Sequence, residues 1–388
     1  MASFYRMRNG VKNYAWGSRT ALNTQFGVPN PDEQPQAEIW MGAHPAGCSE
    51  IEVGANTVSL QDAIAKSPDT VLGERTVEKF AGLPFLLKIL SAESALSLQV
   101  HPDKRQAEEG YARQGNRAGE DYHDANHKPE LVYAITPFMA MNGFRPCQEI
   151  VNHFLRLSSP ELMPALAEFQ HNLNNDGLKH FFVSLMQLSL QEKNNVLCQL
   201  DDSLHAGGFV HLQEFLIRLQ KDYPGDIGIL APLLLHCITL EPGEAMFLRA
   251  GTLHAYVYGT AVEVMACSDN VLRAGLTPKK INLPELVSCT VFSETQEHAL
   301  KLVPDIAGNE RHYPVPVEDF RFSVMENCQQ KLIEVDSAQI LLVLEGLTTL
   351  RDTRGEEMTL RVGQSVFIPA QTEAYFLTQS GQCCLVQC

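Results

Sequence analysis

The chain of 388 residues lacks long hydrophobic runs and is poor in basic residues. Lys and Arg number 30 against 46 Asp and Glu, so the formal net charge is -16. Such an acidic chain argues against nucleic acid and against an anionic membrane as partners. No apolar stretch is long enough to span a bilayer, and the N-terminal residues lack the apolar segment of a signal peptide. We therefore expect a cytoplasmic protein.

Two further motifs are missing from the sequence. The ten cysteines do not have zinc-knuckle spacing, and the adjacent pair Cys383 and Cys384 makes a poor disulfide framework. We therefore expect reduced thiols, and any metal site must use other ligands. No glycine-rich loop that could hold phosphates occurs, so neither ATP nor a dinucleotide is implied.

The pattern of apolar residues divides the chain into β and helical parts. Short strands separated by Pro, Gly and Asn fill residues 4–144, and strand texture returns from residue 233 to the C-terminus. Between them, apolar residues recur at spacings of three and four, which predicts a helical insert over residues 147–230. The sequence of residues 158–161 also predicts a capped helix start with Pro160 at the first helical position.

An internal repeat lies in the second β region. A shift of 120 residues sets 243–254 over 363–374, and both copies are similar to the second cupin motif. The first copy keeps the motif histidine as His254, whereas the second has Ala374 there. The sequence therefore predicts a mainly β protein with two cupin-type jelly-roll barrels, of which the second is degenerate and metal-free. The predicted domains are a catalytic barrel (1–146 with 231–300), an all-α insert (147–230) and a C-terminal degenerate barrel (301–388).

Metal-capable side chains come together in three segments of the predicted catalytic barrel. Gln99 and His101 alternate on one strand and so share a face, Glu130 opens an apolar run, and His254 lies in the cupin motif. Ordinary buried histidines are the alternative interpretation. A buried Gln99 and Glu130 would then lack partners, and a metal removes that cost. Two imidazoles, a carboxylate and an amide oxygen suit one divalent ion, zinc first, with a position left open for substrate.

Polar residues with a positive charge or a hydroxyl group accompany these ligands. Lys88 interrupts an apolar strand, Lys128 precedes Glu130 by two residues, and Arg273 and Ser97 lie near other ligand segments. Surface charges are the alternative for the two lysines. Together these residues predict the anion pocket that an acidic chain needs to bind an anionic substrate. Glu263 is either an exposed strand residue or a group for proton transfer.

Six sequence blocks carry a resemblance to a known family. The chain resembles the type I mannose-6-phosphate isomerases almost from end to end. The blocks are NYAWGS (13–18), AEIWMGAHP (37–45), LQVHPDK (98–104), HKPE (127–130), AGTLHAY (250–256) and SDNVLRAGLT (268–277). The resemblance implies a metal-dependent interconversion of mannose 6-phosphate and fructose 6-phosphate, which we expect to proceed through a cis-enediolate in a monomer.

The resemblance also implies roles for the residues already singled out. Arg273 matches the catalytic arginine, and Ser97, Lys88 and Lys128 match residues around the sugar phosphate and the reacting carbons. The base stays open between Lys128 and Glu263. Glu38, Trp40 and His44 belong to the matched blocks, but core packing is the expectation for the tryptophan and none of the three is assigned to the site.

Two other functions fit part of the pattern. Two histidines and a carboxylate also hold Fe(II) in cupin oxygenases, whose substrates typically carry no phosphate. The cluster of Lys88, Ser97, Lys128 and Arg273 argues against this alternative. A non-catalytic sugar-phosphate sensor on the same scaffold is the other alternative, and the presence of all four ligands together with Arg273 disfavours it.

Overall fold

A computed structural model describes residues 2–114 and 121–388, and it is built mainly from antiparallel strands. The strands are β1 (Tyr5–Arg8), β2 (Gly10–Lys12), β3 (Glu38–Met41), β4 (Glu50–Val53), β5 (Asn56–Ser59), β6 (Phe85–Ala92), β7 (Leu98–Val100), β8 (Glu130–Ala134), β9 (Phe138–Phe144), β10 (Leu235–Leu240), β11 (Ala245–Leu248), β12 (His254–Ala266), β13 (Leu272–Gly275), β14 (Asp305–Ala307), β15 (Glu310–Tyr313), β16 (Arg321–Glu326), β17 (Lys331–Glu334), β18 (Gln339–Asp352), β19 (Glu357–Arg361), β20 (Ser365–Ile368) and β21 (Ala374–Gln387).

Helices are concentrated between the two β regions. The α-helices are α1 (Ala21–Phe26), α2 (Leu60–Lys66), α3 (Pro68–Leu72), α4 (Glu74–Phe80), α5 (Lys104–Gln114), α6 (Cys147–Leu157), α7 (Met163–His171), α8 (Asn175–Met186), α9 (Leu190–His205), α10 (Gln213–Asp222), α11 (Ala231–Leu234) and α12 (Leu283–Cys289). Short 3-10 helices occur at Val210–Leu212, Ile227–Leu230, Glu297–Ala299 and Ala370–Thr372. Within the described residues, none of these helices has both the length and the apolar content needed to span a bilayer.

The first sheet is organised around β12, which pairs with β6, β7, β8 and β9. Its partners change at Gly259, because residues 254–258 pair with β7 and β9 and residues 259–266 with β6 and β8. Gly259 has a φ of 114°, and a Cβ there would lie 2.5 Å from the carbonyl oxygen of Pro137. The positive φ and the close approach both require glycine. Strand β12 carries His254 at its start and Glu263 after this glycine.

The second sheet contains β14 to β21 and also receives the N-terminal strand. Strand β1 pairs with β20 on one side and with β4 on the other. The predicted division places the N-terminal residues in the catalytic barrel and does not include the pairing of β1 with β20. The sequence repeat has a structural counterpart. Strands β20 and β21 begin 120 residues after β11 and β12, which is the shift that relates the two motif copies. Ile89 and Val262 of the first sheet share one core with Phe322 and Ile340 of the second.

The helical segment from α6 to α11 packs against one end of the first sheet. Phe154 and Phe181 share a core with Met141 and Leu253 of the barrel strands. The predicted helix start at residues 158–161 is wrong, because α7 begins only at Met163. The Ser159 hydroxyl donates to the carboxylate of Glu161 rather than capping a helix. The capping box lies instead at Ser189 and Glu192, at the start of α9.

A polar cluster ties the N-terminus to the second sheet through Asp352, which is 3% exposed. Its carboxylate accepts hydrogen bonds from the Ser3 hydroxyl at 2.7 Å, from the backbone N–H groups of Arg354 and Glu356, and from the Arg354 guanidinium. Burial opposes ionisation, but the hydrogen bonds from Ser3 and Arg354 outweigh it and lower the pKa of Asp352 from 3.8 to about 2. The cluster therefore stabilises the folded protein while the carboxylate is ionised.

We predict that Asp352→Asn lowers the free energy of unfolding by about 2 kcal/mol at neutral pH, the scale of hydrogen bonds to a charged group. Because the folded-state pKa is depressed, this difference should be complete above a pH of about 4 and shrink as the pH falls toward about 2. Denaturant unfolding across this range is the measurement. The exposed Asp336→Asn serves as control and should change stability by less than about 1 kcal/mol. A difference for Asp352→Asn that does not vary with pH would contradict the prediction.

Candidate metal centre

Three predicted metal ligands meet inside the first sheet. His101, Glu130 and His254 each offer a donor atom, and these atoms all lie within 4.8 Å of one another. Glu130 begins β8, His254 begins β12, and His101 follows β7. The register sets Gln99 directly opposite His254 on neighbouring strands. Each of the three clustered residues is 1% exposed, so the donor atoms are withdrawn from water.

Hydrogen bonding places a proton on Nδ1 of both imidazoles. His101 Nδ1 lies 2.7 Å from the backbone oxygen of Asn270, and His254 Nδ1 lies 2.8 Å from that of Thr252. A carbonyl oxygen only accepts, so each Nδ1 carries a proton and each Nε2 of the neutral ring has a lone pair. Both Nε2 atoms are buried, and neither has a hydrogen-bond partner among the described residues.

The Nε2 lone pairs of both histidines face the Glu130 carboxylate. His101 Nε2 lies 3.3 Å from Glu130 Oε1, and His254 Nε2 lies 3.4 Å from Oε2. Acceptor atoms at such distances repel one another unless a cation lies among them. Burial and the nearby ammonium of Lys128 lower the pKa of His101 to about 4, which keeps the ring neutral as a ligand must be. The donor set thus fits a divalent ion.

Glu130 has two further close neighbours. Lys128 Nζ lies 2.9 Å from Oε1, and the Tyr256 hydroxyl donates to Oε2 at 2.9 Å. Although burial alone would raise it, the charge of Lys128 holds the pKa of Glu130 well below its usual value. The structure therefore brings Lys128 to the ligand cluster, as its spacing from Glu130 predicts.

A second group of charges lies across three neighbouring strands. The register places Lys88 of β6 directly opposite Glu263 of β12, and Lys88 Nζ lies 2.8 Å from Glu263 Oε2. Glu263 is 2% exposed, so the exposed-strand interpretation of this residue is wrong. Burial raises the pKa of Glu263, while Lys88 opposes the rise. Burial would lower the pKa of Lys88, but Glu263 and Glu38 outweigh it and raise that pKa.

The remaining candidates are Gln99 on β7, Ser97 just before it, and Arg273 on β13, which pairs with β7. The Ser97 hydroxyl donates to Gln99 Oε1 at 3.3 Å. Arg273 of β13 is directly opposite Gln99, and burial lowers its pKa. Its guanidinium makes no hydrogen bond or ion pair with any residue that the structure describes. A half-buried guanidinium opposite Gln99, without such a partner, is available to a ligand.

Sequence reasoning missed three contributors to the site. Glu38 lies 3.7 Å from Lys88 Nζ, Tyr256 bonds Glu130, and the backbone of Asn270 orients His101. Tyr256 follows His254 by two residues, so alternation along a strand could have found it. Glu38 depends on the pairing of β3 with β6, and Asn270 acts through its backbone. Neither of these contributions has a local sequence signal.

Three family models cover most of the chain. They are the catalytic domain of phosphomannose isomerase type I over residues 4–147, its helical insertion domain over 156–235, and the cupin domain of mannose-6-phosphate isomerase over 309–387. Mannose-6-phosphate isomerase of Salmonella typhimurium is 44% identical over 374 residues, which are 94% of each chain. The human enzyme of that name is 33% identical over 416 residues, with 97% of each chain covered.

The chain belongs to the type I phosphomannose isomerase family. Solved structures agree with this assignment over the whole fold. A mutant of phosphomannose isomerase from Salmonella typhimurium matches with a TM-score of 0.95 at 42% identity, covering 100% of this chain and 99% of that one. A structure described as zinc-bound mannose 6-phosphate isomerase matches with a TM-score of 0.94 at the same identity and coverage. The predicted family, fold class and isomerase class are confirmed.

The second barrel differs from the first at the ligand position. Ala374 begins β21 where His254 begins β12. In the described part of the chain, His101, Glu130 and His254 form the one cluster of three such side chains able to hold a metal. The cupin-domain match at residues 309–387 therefore covers the degenerate motif copy and contains none of the three clustered residues.

We predict that His101→Ala and His254→Ala each abolish tight metal binding, because the remaining donors cannot replace a lost imidazole. Elemental analysis after zinc loading and desalting should give about one ion per wild-type chain and less than about a tenth of that in either variant. His236→Ala is the matched control, since this buried histidine bonds the backbone oxygen of Thr295 and is not part of the cluster. Full zinc content in both ligand variants would refute the assigned site.

Proposed function

We propose that this protein is a zinc-dependent aldose-ketose isomerase that interconverts D-mannose 6-phosphate and D-fructose 6-phosphate through a cis-enediolate. The observation that carries the proposal is the pair of buried imidazole lone pairs facing the Glu130 carboxylate. The family assignment and the zinc-bound relative support the same function.

We assign the metal to Gln99, His101, Glu130 and His254. Gln99 joins the set because it precedes His101 by two residues and lies directly opposite His254. A divalent ion held by these residues would polarise the sugar oxygens on which negative charge develops. The hydrogen bonds from the two Nδ1 atoms to backbone oxygens hold both rings in the ligating orientation.

Glu263 is the proposed proton-transfer base. It takes the proton from C2 of the aldose, the electron pair stays in the sugar as the enediolate, and the proton is returned to C1 while the hydroxyl proton of O2 passes to O1. Burial and a raised pKa suit a carboxylate that must accept and release a proton. Lys128, the alternative base, is already the ion-pair partner of Glu130 at 2.9 Å. We therefore assign Lys128 to charge balance and substrate contact.

Arg273 and Ser97 complete the proposed substrate site. The unpaired guanidinium of Arg273 can stabilise the enediolate charge, and the Ser97 hydroxyl lies beside Gln99. Lys88 is a predicted substrate-binding residue. Because Lys88 lies between the carboxylates of Glu38 and Glu263, we assign it a different role, which is to hold Glu263 in place.

Further features belong to this proposal. The protein would act as a cytoplasmic monomer, with the chain divided into a catalytic barrel (1–146 with 231–300), a helical insert (147–230) and a degenerate barrel (301–388). The fit of the three family models to successive segments supports this division.

A coupled assay of fructose 6-phosphate formation from mannose 6-phosphate tests the function. We expect turnover by the zinc-loaded protein, loss of turnover after chelation, and recovery when zinc is restored. The same reaction should consume no oxygen, which separates an isomerase from a cupin oxygenase. A zinc-loaded protein without turnover, or turnover that survives complete removal of the metal, would contradict the proposal.

We predict that Arg273→Ala lowers kcat by about a hundredfold, the scale for losing a preorganised charge contact, while the zinc content stays normal. The reason is that the guanidinium meets charge that develops in the transition state and is smaller in the bound sugar. Steady-state kinetics measures the effect. The control is Arg8→Ala, which removes an exposed arginine paired with Glu52 in another part of the fold. A near-normal kcat with a raised KM would reassign Arg273 to the phosphate.

A further inference from the structure

Four side chains form a buried group beside the metal cluster. Trp40 of β3, Lys88 of β6 and Glu263 of β12 are directly opposite one another across three neighbouring strands. Glu38 precedes Trp40 by two residues and projects to the same side. None of the four is more than 6% exposed. A single ammonium group therefore lies between two carboxylates in a site largely closed to water.

The contacts of Glu38 divide its two oxygens between two partners. The Trp40 indole N–H donates to Oε2 at 2.7 Å, and Oε1 lies 3.7 Å from Lys88 Nζ. Lys88 Nζ also lies 5.2 Å from the centre of the Trp40 ring. Glu38 is thus fixed by one hydrogen bond and presents its other oxygen to Lys88. The shorter ion pair of Lys88, at 2.8 Å, is with Glu263.

Proton transfer through Glu263 creates a problem for Lys88. When Glu263 accepts a proton it becomes neutral, and a buried ammonium group loses the charge that its short ion pair supplied. An unpaired buried charge is strongly unfavourable and would move or lose its own proton. The other charged groups near Glu263 are Glu130 and Lys128. Both are already paired with one another at 2.9 Å.

We infer that Glu38 is a positioning residue for the isomerisation, which keeps Lys88 charged and in place while Glu263 gains and loses the substrate proton. This inference rests on the proposed function. The C2–H bond breaks, its proton passes to Glu263, and the same proton is returned to C1, so Lys88 keeps its three protons throughout. Its main ion pair shifts from Glu263 to Glu38 and back. Glu38 touches no reacting atom and acts through Lys88.

Glu38→Gln tests this role, because it removes the charge and keeps the shape and the acceptor for Trp40. We expect kcat for mannose 6-phosphate to fall about tenfold with KM changed by less than about twofold, since the charge matters during proton transfer and not for binding. In a Lys88→Met background, the same substitution should lower kcat no further. Two residues that act through one contact are non-additive in this way.

Trp40→Phe gives a second variant should Glu38→Gln fold poorly. It keeps an aromatic ring beside Lys88 but removes the N–H that holds Glu38, so we expect a smaller fall in kcat with KM again unchanged. Trp16→Phe is the matched control, because Trp16 is the other of the 2 tryptophans and should leave kcat near that of the wild type. Zinc content is measured for every variant, to separate these effects from loss of the metal.

Two results would overturn the inference. One is a near-normal kcat in both Glu38→Gln and Trp40→Phe. The other is an equal fall in kcat for Glu38→Gln with and without Lys88, which would mean that Glu38 acts independently of the lysine. A zinc-loaded wild-type protein without turnover would instead refute the proposed function. Turnover by the wild type with unaffected variants would refute only the part assigned to Glu38.

Discussion

The Glu130 carboxylate is the group on which the arrangement of the site depends. It is fully withdrawn from water, and its oxygens are shared among Lys128, Tyr256 and the two histidines. A buried carboxylate is costly without compensating charge. Lys128 supplies that charge, and the proposed ion would accept the lone pairs of the two imidazoles. With both rings neutral, the close approach of their Nε2 atoms to Glu130 fits a cation among them.

This requirement explains several features of the fold. The three clustered side chains come from the start of β8, from the start of β12 and from the residue after β7, so correct pairing of these strands builds the cluster. Strand β12 pairs with four strands, changes partners at Gly259 and continues to Glu263. One strand thereby links the metal cluster to the buried pair of Lys88 and Glu263. Ligation and proton transfer are positioned by the same backbone.

Charge is organised locally in a protein that is acidic overall. The chain carries a formal net charge of -16, yet Arg273 has no partner among the described residues. Burial without a counter-charge costs free energy, and such a cost is typical of functional sites. The phosphorylated substrate that we propose would supply the missing negative charge. An acidic chain with one guanidinium left without a partner thus fits an anionic metabolite better than a polyanion such as nucleic acid.

Much of this organisation could be predicted from the sequence, and the reasons for the misses are physical. Spacing predicted that Lys128 would meet Glu130, and the two side chains form an ion pair. The contact between Glu38 and Lys88 could not be predicted in this way, because it depends on the pairing of two strands distant in sequence. The pairing of β1 with β20 is non-local for the same reason. The helix start predicted near Ser159 is wrong for a different reason. The local motif is present, but its Ser159 and Glu161 side chains bond each other within a turn instead of capping a helix.

X-ray absorption at the zinc edge of the zinc-loaded protein tests whether His101, Glu130 and His254 hold the metal. We expect one zinc environment of nitrogen and oxygen atoms at about 2.0–2.1 Å, with the multiple-scattering pattern of two imidazoles and no sulfur. Sulfur is a possible alternative ligand because all ten cysteines are free thiols. A zinc–sulfur distance of about 2.3 Å, or a shell without imidazole, would contradict the account.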